Sequence, residues 1–229
     1  MQATKSIIYI ISYVLFFVLS WIGKTNNSSR LINDHGELTS KPGKLIGFHI
    51  IGIIVLGLVP GILLKHSILK VLAGNKTPDP ILIFLYLLIF IAMVILAFKQ
   101  SKSAYEKKRG LPESLTHLFP DFFISYFIIR ALFLLAYELW FRGFLLFDSI
   151  SWVGAPLAVV ANTFLYVLVH IFNSKKEMCA CIPFGILVCV LSIIFDAVWP
   201  AIILHIGFSL VYELNIYRLN LNNFKIAKS

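Results

Sequence analysis

The sequence predicts an all-α fold, a polytopic membrane helix bundle of about seven transmembrane helices. Composition is the first observation behind that expectation. Apolar residues fill 59% of the 229 positions and charged residues only 14%, whereas a soluble domain is roughly half apolar and a quarter charged. The second is the recurrence of apolar runs near the ~20 residues that cross a bilayer as a helix. The third is a biased distribution of Lys and Arg between alternate loops. Together they exclude a soluble globular protein.

In chain order the predicted segments are Ser6–Gly23, Leu45–Leu64, Pro80–Phe98, Phe122–Phe147, Trp152–Phe172, Met178–Phe195 and Ala197–Tyr217. The first follows a single lysine, Lys5, as a signal peptide would. No small-residue cleavage site closes it, and Trp21 to Lys24 reads as an interfacial anchor, so the segment is expected to be retained. Between the third and fourth, Lys99 to Glu113 is too polar to be buried and reads as a cytoplasmic helix or loop, with Gly110, Pro112 and Pro120 marking the approach to the next helix. The fourth exceeds a simple span and contains Arg130, Glu138, Arg142 and Gly143. A break near Gly143 is expected, because a simple seven-span arrangement sets Glu138 and His170 at different depths and irregular backbone is tolerated where it lines a protein cavity.

The formal net charge of +9 and a pI near 9.5 do not point to nucleic acid, whose footprint gathers on one face. The odd-numbered loops and the C-terminal tail carry fourteen Lys and Arg, from Lys24 and Arg30 through Lys175 and Lys176 to Lys228. The even loops and the N-terminus carry Lys5, Lys65, Lys70 and Lys76. Positive-inside bias then places the N-terminus outside and the C-terminus in the cytoplasm. The charge describes insertion into a lipid bilayer, and no nucleic-acid partner is expected. Cys179, Cys181 and Cys189 share one apolar segment, where thiols act as small hydrophobes and no disulfide framework is expected. The sequons at Asn26 and Asn27 fall in a loop assigned to the cytoplasm and read as chance.

Ionisable groups inside apolar spans cost several kcal/mol each and mark function or pairing. They are His49, Arg130, Glu138, Arg142, His170, His205 and Glu213, with Asp148 and Asp196 at interfaces. Glu138 and Arg142 stand four apart on one helical face and are expected to neutralise each other. Tyr166 precedes His170 by one turn, and Ser209 follows His205 by one turn. One glutamate and two histidines from three helices suit either a metal centre, zinc included, or a water activated by carboxylate and imidazole beside oxyanion donors. Both stay open at this point. No H-E-x-x-H and no G-x-S-x-G occurs. His49 is expected to be satisfied by a neighbouring helix, Arg130 to pair or snorkel, and Glu213 to reach the cytoplasmic interface.

The run Tyr137-Glu138-Leu139-Trp140-Phe141-Arg142-Gly143, then Tyr166 to His170, then Trp199-Pro200 to His205 and Ser209 resembles the CPBP family, the CAAX prenyl endopeptidases and bacteriocin-processing or Abi proteins. The family motifs are E-E-x-x-x-R, F-x-x-x-H and H-x-x-x-N/D. The resemblance covers about Phe122 to Glu213, and it divides the chain into residues 1–118, N-terminal helices and loops, and 119–229, a CPBP-like core. It implies a CAAX-protease-like intramembrane endopeptidase that cuts a peptide or protein substrate near the surface of a bacterial plasma membrane. By position it implies water activation by residue 137 with His170, an oxyanion held by His205 with Ser209, and orientation by Glu138 paired with Arg142.

Three positions depart from the pattern. Tyr137 replaces the first glutamate, and a phenol with a pKa of about 10 is no general base at neutral pH. Tyr166 replaces phenylalanine. Ser209 replaces Asn or Asp, and its hydroxyl still has a proton to donate. Either Glu138 has taken over the base role, or His170 suffices alone, or the site is inactive and the chain is a peptide-binding, immunity or secretion accessory protein. A transporter or channel ranks last, since no inverted repeat is visible.

Overall fold

The computed structural model describes residues 2–26, 28–31, 41–106 and 120–226. Helix α1 spans Gln2–Thr25, and α2, Pro42–Ile53, runs through a π-helical stretch, Ile54–Leu58, into α3, Val59–Leu63. A short α4, Ile68–Ala73, precedes the long α5, Pro80–Glu106. Helix α6, Pro120–Glu138, passes through a second π-helical stretch, Leu139–Leu145, into α7, Leu146–Val153. Helices α8, Ala155–Val169, α9, Lys175–Phe195, and α10, Trp199–Ile226, complete the chain. No strand occurs among the described residues.

Among the described residues six helices are long and apolar enough to cross a bilayer. The predicted fifth segment is shorter, with α8 an apolar helix of 15 residues. Of the polar stretch Lys99 to Glu113, Lys99–Glu106 continues α5, and the remainder lies outside the described residues, as does Asn27.

Sequence chemistry sets the helix ends. Pro42 opens α2 at a position where its missing N–H costs nothing. Ser174 caps α9 by accepting from the Glu177 amide at 3.3 Å. Gly154, at φ +82°, ends α7 and starts α8, a backbone state that glycine adopts without a Cβ penalty.

That turn corrects the expected break. The helix does not part at Gly143; it continues, widened into π geometry, to Val153. Glu138 and His170 each lie sixteen residues from Gly154, so with a rise of about 1.5 Å per residue both stand about 24 Å above the turn. The depth conflict arose from ending the fourth segment six residues early.

Packing inverts the pattern of a soluble protein. Large apolar side chains face outward, among them Ile62, Leu69, Ile81 and Val160, while Ser12, His49, Ser101, Glu138, Arg142, Asn162 and Ser192 are buried. Lipid solvates the first group and the bundle interior must satisfy the second. Aromatic rings fill the core around the second π stretch: Phe16, Phe133, Tyr137, Trp140, Phe141 and Tyr166. Ion pairs fasten both ends. At one end Lys5 Nζ donates to both Asp148 oxygens at 2.9 and 3.0 Å, Tyr9 donates at 2.7 Å and His66 lies at 3.1 Å. At the other, Arg30 pairs with Glu177. These ties set the N-terminus beside α7 at one end of the bundle, and the α1–α2 loop beside the start of α9 at the other.

Candidate functional site

Glu138 is the last α-helical residue before the π stretch and Arg142 lies within it. Both are fully buried. Arg142 Nη1 donates to Glu138 Oε1 at 3.3 Å and stands 3.2 Å from Oε2, the neutralising pair expected from their spacing. The guanidinium lies over the Tyr166 ring at 4.4 Å and the Phe141 ring at 5.4 Å. Those π faces meet a cation whose Nε and Nη2 have no hydrogen-bond partner among the described residues.

A π turn releases carbonyls from the regular ladder, and neighbouring elements must satisfy them. Asn162 of α8 does so, its Nδ2 donating to the Phe141 carbonyl at 2.5 Å, while Cys189 of α9 lies 3.3 Å from its Oδ1. Gly143 allows α4 to approach: a Cβ there would sit 2.7 Å from Val71 Cγ1. The wide turn is therefore held from two sides.

His205 of α10 closes the site. Its Nδ1 lies 2.5 Å from Glu138 Oε1, so the carboxylate accepts from Arg142 and from the imidazole together. In the neutral imidazole with Nδ1–H donated, Nε2 carries a lone pair. His205 is the more accessible partner, its side chain 14% exposed where Glu138 is 0%. Phe184 and Tyr137 pack against its ring, with centroids 5.2 and 5.9 Å away.

His170 follows α8 in a tight turn, and its Nδ1 donates to the Tyr166 carbonyl at 2.8 Å, leaving Nε2 bare here as well. It makes no hydrogen bond to Glu138 among the described residues. It joins the site through Tyr166, whose ring lies 4.7 Å from the imidazole and also contacts Arg142 and Tyr137. Tyr137 is inside the site: its hydroxyl is buried with no hydrogen-bond partner among the described residues, and its ring packs on Phe16 and Phe141.

Ser209 is held elsewhere. Its Oγ accepts from Arg130 Nη2 at 3.2 Å, one turn beyond His205 in a second polar cluster. Arg130 Nη1 lies 3.2 Å from His49 Nε2, and its Nε stands 3.4 Å from Glu213. Tyr126 donates to Glu213 at 2.8 Å. His49 is thus satisfied by a neighbouring helix and Arg130 pairs, as expected, but Glu213 is buried and paired rather than drawn to an interface.

Among the described residues no group of three His, Cys, Asp or Glu side chains gathers that could hold a metal ion. Glu138 and His205 supply two donors, and the Arg142 charge beside them repels a cation, so the donor set does not fit zinc. The cysteines are free, Cys181 and Cys189 buried and Cys179 exposed. Sequence reasoning missed Asn162, Phe184 and the His66 contribution to Asp148. Asn162 was visible as an amide in an apolar run; the other two carry no local signal.

Fold and site define a polytopic, all-helical membrane protein with a buried carboxylate, arginine and imidazole centre among its C-terminal helices. Residues 119–211 match the family model described as Type II CAAX prenyl endopeptidase Rce1-like. The resemblance read from the three motifs is borne out over that stretch, which spans from the start of α6 past Ser209; the first three long helices lie outside it. No curated protein and no solved structure matches the chain.

Proposed function

We propose that the chain is an intramembrane endopeptidase of the CAAX-protease-like type, hydrolysing a peptide bond near the membrane surface. One observation carries the reading: Glu138 meets His205 through Nδ1, the arrangement by which a carboxylate fixes a tautomer and leaves Nε2 as a base. Glu138 then does not replace the missing glutamate directly. It acts through His205, so no helix rotation away from Arg142 is needed.

In this scheme His205 Nε2 takes a proton from water as the water oxygen bonds to the substrate carbonyl carbon. Glu138 stabilises the resulting imidazolium, and Arg142 pairs with Glu138 from the other side. His170 Nε2 accepts a second hydrogen bond from the water and aligns it, while the Ser209 hydroxyl donates to the developing oxyanion. When the C–N bond breaks, the imidazolium returns its proton to the leaving nitrogen. The substrate is a peptide or protein with a membrane-proximal cleavage site; the basic asymmetry of the loops supports a cytoplasmic C-terminus, and the family resemblance supports a bacterial plasma membrane.

A second reading has its own observation. Tyr137 stands where the family has its first glutamate, with its hydroxyl buried and unpartnered among the described residues. That supports a catalytically degenerate member acting as a membrane peptide-binding, immunity or secretion accessory protein. Cleavage of a quenched-peptide panel by the purified protein separates the two. Cleavage lost in both His205→Ala and His170→Ala supports the endopeptidase. A silent wild type with an active Tyr137→Glu supports the degenerate member.

A further inference from the structure

The polar groups between α6 and α10 form a ladder. These antiparallel helices pair Glu138 with His205, then Arg130 with Ser209, then Tyr126 with Glu213, about one turn apart along α10, and about two turns and then one along α6. The endopeptidase scheme uses the first layer and the Ser209 hydroxyl, and it leaves Arg130 without a part.

Ser209 differs from its fellow helix serines. Ser12, Ser101 and Ser192 each donate their hydroxyl to a carbonyl three or four residues back, at 2.8, 2.8 and 2.9 Å. That is the ordinary outlet for a serine proton in an apolar helix. Ser209 makes no such bond among the described residues; its Oγ accepts from Arg130 instead. A hydroxyl has one proton and two lone pairs, so an oxygen occupied by a guanidinium N–H keeps its own proton for another acceptor. A cationic donor also polarises that O–H and makes it the stronger hydrogen-bond donor.

Arg130 is itself held from several sides. Glu213 lies 3.4 Å from Nε, His49 Nε2 lies 3.2 Å from Nη1, and Phe133 places its ring 5.6 Å from the guanidinium carbon. His49 is fixed in the accepting tautomer because its Nδ1 donates to the Leu45 carbonyl at 2.7 Å. Helix α2 thus contributes to this layer, although it lies outside the matched stretch 119–211.

We infer that Arg130 is a positioning residue for the Ser209 hydroxyl: it accepts no part in bond making, but turns and polarises that O–H toward the oxyanion, in place of the amide or carboxylate the family motif carries there. The inference rests on the endopeptidase reading, and it assigns to Arg130, with His49 and Glu213 behind it, the compensation for the shorter side chain at position 209.

A double-mutant cycle on the full chain in detergent tests it, with peptide cleavage resolved into kcat and KM. Ser209→Ala is expected to lower kcat about 100-fold with KM little changed, the signature of a lost oxyanion donor. Arg130→Gln is expected to lower kcat about 10-fold in the wild-type background and by less than about 2-fold on top of Ser209→Ala, because its effect passes through that hydroxyl. Arg130→Gln/Glu213→Gln, which leaves no stranded carboxylate, replaces the single variant if Arg130→Gln does not elute as a monodisperse protein. An equal fractional loss in both backgrounds overturns the inference and leaves the endopeptidase standing. Absence of cleavage by every variant, Tyr137→Glu included, overturns both.

Discussion

Removing Arg142 tests whether the centre is a charge pair held away from water. Glu138 and Arg142 are both fully buried, within 3.2 Å of each other. Arg142→Met keeps most of the side-chain volume and its contact with Tyr166 while deleting the positive charge. Breaking a buried pair from one side costs about 3–5 kcal/mol, because the remaining ion has lost its partner. His205 still donates to Glu138 at 2.5 Å, which places the expected loss at the lower end, about 3 kcal/mol. For a chain of this length each kcal/mol shifts Tm by about 2–4 °C, so the variant is expected to unfold about 6–12 °C lower. Glu138→Gln/Arg142→Met removes both charges and is expected to recover most of that loss. The assay is the thermal decay of the monodisperse peak in fluorescence-detected size exclusion, with all variants in the same detergent. A double variant as unstable as the sum of the two singles would refute the coupling and the buried-pair account with it.

Further outcomes concern the π stretch and the imidazoles. Asn162→Leu leaves the Phe141 carbonyl without its donor and is expected to cost about 1–3 kcal/mol, read in the same thermal assay, with cleavage falling in parallel. Gly143→Ala drives a Cβ to 2.7 Å from Val71 Cγ1 and is expected to destabilise by about 1–3 kcal/mol; pairing it with Val71→Ala should restore most of this. His205→Ala removes the proposed base and His170→Ala the aligning group, so the first is expected to lower kcat about 100-fold or more and the second less. A His170→Ala loss larger than that of His205→Ala in the peptide assay would reverse those two assignments.

Much of the chain was legible because lipid imposes a coarse rule on sequence. A helix that crosses a bilayer must be apolar for about 20 residues, so composition and run length reveal α1, α2, α5, α6, α9 and α10 without any knowledge of their contacts. The cost of an ion in that medium likewise singled out Glu138, Arg142, His170, His205, Arg130 and Glu213, and the i, i+4 interval alone foretold the Glu138–Arg142 pair. Sequence could not say where the fourth helix turned. Gly143 and Gly154 are both glycines near its end, and only the packing of Val71 against one and the positive φ of the other decide which is the turn. Nor could it pair residues across helices. Ser209 sits one turn from His205 on α10, yet its oxygen belongs to Arg130, while His205 reaches across to Glu138, 67 positions earlier. Spacing along a helix fixes which face a side chain occupies; which neighbour fills that face depends on helix height and rotation, and those are set by the whole bundle.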